Sequence, residues 1–94
     1  MLSIEQHKEL IVPVLKRHDI KHAAIFGSIA KQSASNISDI DLLIEPAQNF
    51  TLFKMLRLEQ EIAELLNQKV DLVEYSALKP SIKDEVLRTA ITIL

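Results

Sequence analysis

The sequence predicts a small α/β (α+β) domain spanning residues 1–94, built on a mixed sheet of three strands or slightly more and packed by helices. Three observations predict it. Short apolar runs at residues 22–26, 39–45 and 70–74 have the length of buried strands, and the second alternates cleanly. Segments with apolar residues at helical spacing precede, separate and follow them. No repeat, low-complexity tract or linker interrupts the 94 residues, a length that suits one domain. The expected order is α-β-α-β-α-β-α.

Ser3, with Gln6 three residues on, forms the pattern of a capping box and opens the first helix. Ile4, Ile11, Val14 and Leu15 line one of its faces, and Pro13 should kink it or limit its regularity. His22 to Phe26 reads as the first strand, Ser28 to about Ser33 as a short helix, and Ser33 to Ser38 as a polar loop. Asp39 to Glu45 follows as a strand with Ile40, Leu42 and Ile44 on one face, ended by Pro46. Leu52, Met55, Leu56, Ile62, Ala63 and Leu66 mark an amphipathic helix from about Thr51 to Asn67. Val70 to Glu74 is the third strand. Pro80 or Ser81 starts a last helix, with Ile82, Val86, Ala90 and Ile93 on its face.

Composition narrows the function. The hydrophobic fraction is 48% and the net charge −2, so a core is expected and the basic footprint of a dedicated nucleic-acid binder is missing. A mean hydropathy of +0.14 is high for so small a chain, and leaves apolar surface for a partner. There is no cysteine, which excludes disulfides, thiolate zinc sites and cysteine nucleophiles and fits a cytoplasmic protein. The longest apolar stretch, Leu10 to Leu15, is too short to span a membrane, and no signal-peptide pattern opens the chain.

One segment reads as a reaction site. Gly27 is the only glycine, where average usage of about 7% would supply roughly six or seven. Its survival points to a place where a side chain is not tolerated, such as a backbone approach to phosphate. A strand ending in Gly27-Ser28 and entering a helix leaves unpaired N–H groups that suit an anion. Ser28 adds a hydroxyl and Lys31 a positive charge one turn on. Asp39 and Asp41, spaced i, i+2 on a strand, leave from one face, and two such carboxylates repel unless a cation joins them. Magnesium accepts one or two carboxylates together with phosphate oxygens. Asp71 joins them if its strand lies beside theirs. Three acids can then hold two cations, as in-line displacement at phosphorus requires. No histidine cluster accompanies the acids, which argues against a metal-dependent phosphodiesterase.

Gly27-Ser28, ten intervening residues, Asp39-Ile40-Asp41, apolar strands on either side and a later acid on a third strand resemble the nucleotidyltransferases of the DNA polymerase beta superfamily. The small size is similar to the minimal nucleotidyltransferases, and the likeness covers nearly the whole chain, including Leu78-Lys79-Pro80 before the last helix. The resemblance implies a polymerase beta-like fold and a metal-dependent transfer of a nucleotidyl group, AMP from ATP, to a hydroxyl. It implies that Asp39, Asp41 and Asp71 bind two Mg2+ ions, with Mn2+ as a substitute, and that Gly27, Ser28 and Lys31 bind the nucleotide. Relatives of this type act as antitoxins that modify a tyrosine of a HEPN-domain toxin, so it implies a protein acceptor supplied in trans. Two positions depart from the family's Gly-Ser-Arg-Ala-Arg-Gly pattern: Ile29 removes an arginine and Gln32 replaces a glycine. Lys31 keeps a charge without arginine's bidentate geometry. These departures support an alternative, an antitoxin or regulatory module that occludes its partner with little or no transfer.

Outside this constellation the expectations are structural. His7 and His18 share a face of the first helix, where boundary positions account for them better than a metal pair. Tyr75, the single tyrosine, is expected to pack half-buried, and Lys69 to share a strand face with Asp71 in solvent. The second apolar flank of the Leu52–Leu66 helix is available to a second copy, forming a homodimer, or to a partner protein.

Overall fold

A computed structural model describes residues 3–26 and 40–94. Gly27, Ser28, Lys31 and Asp39, together with the helix and loop expected between residues 28 and 38, lie outside the described residues.

The first helix, α1 (Ile4–Arg17), begins where its sequence signals place it. The Ser3 hydroxyl accepts from the Gln6 N–H at 3.1 Å, and the Gln6 side chain accepts from the Ser3 N–H at 2.8 Å. The helix runs through Pro13, which removes only the donor owed to the Glu9 carbonyl, on a face where both residues are exposed to water. Strands β1 (Ile20–Phe26) and β2 (Ile40–Pro46) pair antiparallel. Helix α2 (Leu52–Leu66) is capped by Thr51, whose hydroxyl accepts from the Lys54 N–H at 3.2 Å. It crosses over to β3 (Val70–Glu74), which pairs parallel with β2. A short 3-10 turn (Tyr75–Ala77), helix α3 (Pro80–Thr89) and strand β4 (Ile91–Thr92) complete the chain. The sheet order is β3-β2-β1-β4.

Two boundaries differ from expectation, each for a local reason. Strand β1 starts two residues early, because its register shifts between Ile20 and His22. The extra residue restores Ile20 to the inward face beside Ala23 and Ile25, and hides the strand start from a test of strict alternation. The last helix stops at Thr89 rather than continuing to Ile93. The β-branched run Ile91-Thr92-Ile93 turns extended and closes the edge of β1, with the Ile93 N–H donating to the Ala23 carbonyl at 2.9 Å. Ile93 is buried, but as part of this return strand; no residue of α3 itself is buried.

Left-handed backbone is supplied without glycine at Asp19, Asn49 and Asn67, with φ of 59°, 66° and 53°. Asp and Asn tolerate this region because their short polar groups bond locally. Asn67 does so at the C-terminus of α2, where a left-handed residue commonly ends a helix.

The core lies between one face of the sheet and helices α1 and α2. Ala23, Ile25, Ile40, Leu42, Ile44 and Val70 meet Ile11, Val14, Leu15, Leu58, Ile62 and Leu66 there. His7 is fully buried rather than at a boundary. Its Nδ1–H donates to the Ser3 carbonyl at 2.8 Å and Nε2 has no partner among the described residues, so this side chain is a structural member of the core.

Candidate active site

Alternation along β2 sends Ile40, Leu42 and Ile44 toward the helices and Asp41 to the opposite face. The parallel pairing then decides where Asp71 falls. Its register sets Ile40 against Val70, Asp41 against Asp71 and Leu42 against Leu72. Two carboxylates therefore stand on adjacent strands, in register and on one face, with strand axes about 4.8 Å apart. Both residues are partly buried. The ladder is anchored just before this pair, where the Ile40 N–H donates to the Lys69 carbonyl at 3.0 Å. Lys69 itself is exposed, one residue before β3 begins.

Strand β1 supplies the third side. Phe26, its last residue, pairs with Asp41, and the next residue in the chain is Gly27. Asp39 immediately precedes Ile40. The segment 27–39 thus leaves and re-enters the described structure beside the Asp41–Asp71 pair. Among the described residues no group of three or more potential metal ligands comes together, since only two of the three expected acids are described. The donor chemistry of the two fits a hard cation. Both are oxygen ligands, and a divalent ion held by them would relieve their mutual repulsion.

The other singled-out residues sit away from the acids. Tyr75, the first residue of the 3-10 turn after β3, is four residues beyond Asp71, about 13 Å at strand rise, and is half-buried. It lines a cleft of about 210 Å3 with His22, Glu45, Thr92 and Leu94. Burial, with the Glu45 charge second, raises its phenol above the ordinary value. His22 Nε2 lies 4.0 Å from the Glu45 carboxylate there. His18 caps α1 and its Nε2 meets a Glu61 carboxylate oxygen at 2.9 Å, while Arg17 pairs with the other oxygen. These hydrogen bonds, from His18 first and Arg17 second, hold the Glu61 carboxyl below its ordinary value. Sequence reading misses this tie between α1 and α2. The partners are 43 and 44 positions apart, and no local spacing signals them.

A sequence pattern for the family described as polymerase beta, nucleotidyltransferase, matches residues 9–94. The chain belongs to this family. Among its relatives, a protein of Methanocaldococcus jannaschii named putative protein adenylyltransferase is 37% identical over 99% of this chain and 100% of its own length. The protein adenylyltransferase MntA of Thermococcus cleftensis is 32% identical over 97% of this chain and 96% of its own. A solved structure described as a putative minimal nucleotidyltransferase superposes on this nucleotidyltransferase with a TM-score of 0.82, at 32% identity, over 96% of this chain and 95% of that one. The toxin–antitoxin complex MntA–HepT contains a chain of the same fold, with a TM-score of 0.74 at 21% identity over 96% of this chain and 71% of that one. The mixed sheet with its βαβ crossover is the nucleotidyltransferase fold expected from the sequence.

Proposed function

We propose that this nucleotidyltransferase moves AMP from ATP to a hydroxyl of a protein supplied in trans, a tyrosine of a HEPN-domain toxin, and so acts in the cytoplasm as an antitoxin. The observation that carries the reading is the registered pair Asp41 and Asp71. Relatives named as protein adenylyltransferases, and a similarly folded chain in a toxin–antitoxin complex, support the acceptor class.

Asp39, Asp41 and Asp71 are the residues to hold two Mg2+ ions, or Mn2+ in their place. When bound, such ions neutralise developing charge on the phosphates and lower the proton affinity of an attacking hydroxyl. The chain's own side chains do the positioning. Gly27, Ser28 and Lys31 bind the triphosphate, by backbone N–H groups, a hydroxyl and a charge respectively. The acceptor oxygen forms a bond to the α-phosphorus, the bond from that phosphorus to the pyrophosphate oxygen breaks, and pyrophosphate leaves. A carboxylate oxygen of Asp71 takes the hydroxyl proton. Most of the rate comes from alignment and charge neutralisation, as in other phosphoryl transfers.

The test is intact-mass analysis of the purified HEPN-domain partner after incubation with the chain, ATP and Mg2+. One or more AMP units are gained with the wild type and none with Asp39→Asn/Asp41→Asn. Ile29 and Gln32 favour a second reading, in which the chain neutralises its partner by occlusion. Full neutralisation by the double variant, with no AMP gained from wild type, selects that reading.

A further inference from the structure

The first half of α2 carries a surface that the proposed chemistry does not use. Leu52, Phe53 and Leu56 are 72%, 68% and 54% exposed. On the helix they form one flank beside the satisfied stripe of Leu58, Ile62 and Leu66. Isolated exposed apolar residues are ordinary, but three within one and a half turns make a patch. The charged side chains within the patch are cationic, although Asp19 lines the neighbouring cleft and Glu59 and Glu61 follow in the next turn. Residues 51–58 include Lys54 and Arg57 and no acid, in a chain whose net charge is −2. The Arg57 guanidinium lies 5.9 Å from the centroid of the Phe53 ring, so cation and ring form one surface. Beside them opens a cleft of about 270 Å3 lined by Arg17, His18, Asp19, Phe50, Lys54 and Arg57. Arg17 and His18 are engaged by Glu61, and one Lys54 donor goes to the Asn49 carbonyl at 3.2 Å. Among the described residues, two further Lys54 donors and the Arg57 fork have no hydrogen-bond partner and can meet a ligand.

We propose that this patch docks an acidic, amphipathic helix of the protein partner, its apolar side on Leu52, Phe53 and Leu56 and its carboxylates on Lys54 and Arg57. The assignment rests on the reading that the acceptor is a protein. Charge complementarity selects the occupant. A two-fold contact with a second copy sets Lys54 and Arg57 of both copies near one another, which is repulsive. A bilayer requires a flat face, whereas Lys54 and Arg57 both line a concavity. The position of the patch separates docking from chemistry. β2 leads from Ile40, beside the acids, to Pro46, about 20 Å away at strand rise, and α2 begins from that far end on the opposite face of the sheet. A docked partner can therefore stay in place while another of its segments offers the hydroxyl.

The experiment titrates the purified HEPN-domain protein with wild type, Leu52→Ser/Phe53→Ser and Lys54→Glu/Arg57→Glu, all exposed positions, with thermal melts to check folding. Each double variant is expected to bind at least about tenfold more weakly. Wild-type affinity is expected to fall as NaCl rises from about 50 to about 300 mM. Binding of Mg-ATP alone should be unchanged in both variants. Unchanged partner affinity in folded variants overturns the docking surface and leaves the transfer reading standing. A wild type that binds no partner overturns both. If the substitutions instead abolish self-association by sedimentation, or binding to phosphatidylserine vesicles, with partner affinity intact, the occupant is a second copy or a bilayer and the proposal fails.

Discussion

The two faces of the sheet answer to different requirements. The face toward α1 and α2 is largely apolar: Ile20, Ala23, Ile25, Ile40, Leu42, Ile44 and Val70 are buried there, with Leu72 partly buried beside them and Glu74 at the end of β3. The other face is segmented. Asp41 and Asp71 stand at one end, Ala24 and Leu43 are buried in the middle, and His22, Glu45 and Tyr75 occupy the far end. Strand alternation makes this possible, because one residue's step moves a side chain from core to site. The difference teaches that the core and the proposed reaction site are carried by alternate residues of the same strands. Substitutions at adjacent positions of β2 should therefore fail in opposite ways.

The largest expected contrast lies at neighbouring positions. Asp41→Asn and Asp71→Asn should each lower AMP transfer by about a thousandfold, measured as label incorporated into the partner, because the charge that holds the cation is lost. Asp71→Asn should not lower the melting temperature in metal-free buffer, since one of two like charges is removed. Leu42→Ala, one residue away, should cost about 3 kcal/mol of folding stability in urea denaturation through the cavity it leaves. Equal destabilisation by Asp41→Asn and Leu42→Ala would remove the division between the faces.

Smaller effects sharpen the comparison away from the site. Asn67→Ala should destabilise by about 1 kcal/mol, because alanine resists left-handed backbone, while Asn67→Gly should be neutral or better. Glu61→Gln should weaken the tie between α1 and α2 slightly, with a pH signature. The Glu61 pKa is lowered in the folded state, so its contribution is present above the ordinary value of 4.5 and is lost as pH falls through the lower folded value. The melting-temperature gap between wild type and Glu61→Gln should be seen at neutral pH and close in acid.

Much of this division was readable in the residues. Alternation in Asp39–Glu45 separates Ile40, Leu42 and Ile44 from Asp41 without coordinates, the Ser3–Gln6 box fixes one helix start through local hydrogen bonds, and apolar spacing places another near Thr51. What could not be read is non-local. Whether Asp71 stands beside Asp41 depends on β2 and β3 pairing parallel and in register, a consequence of the α2 crossover rather than of any spacing. Strand β4 was masked because Val86, Ala90 and Ile93 keep a helical period across a real boundary. The need of β1 for an edge partner overrides that period. Glu61 finds Arg17 and His18 only once α1 and α2 share a face of the sheet. His7 looked polar enough for a boundary, yet one bond to the Ser3 carbonyl suffices to hold it inside.

The central claim is that Asp41 and Asp71 share a divalent-ion site. It is tested most directly by counting Mn2+ bound to the chain by electron paramagnetic resonance, in the presence of a non-hydrolysable ATP analogue. Asp71→Asn should weaken Mn2+ binding by at least about tenfold, as Asp41→Asn does, and the double variant should lose less than the two single losses combined. Mn2+ binding by Asp71→Asn as tight as that of wild type would contradict the account.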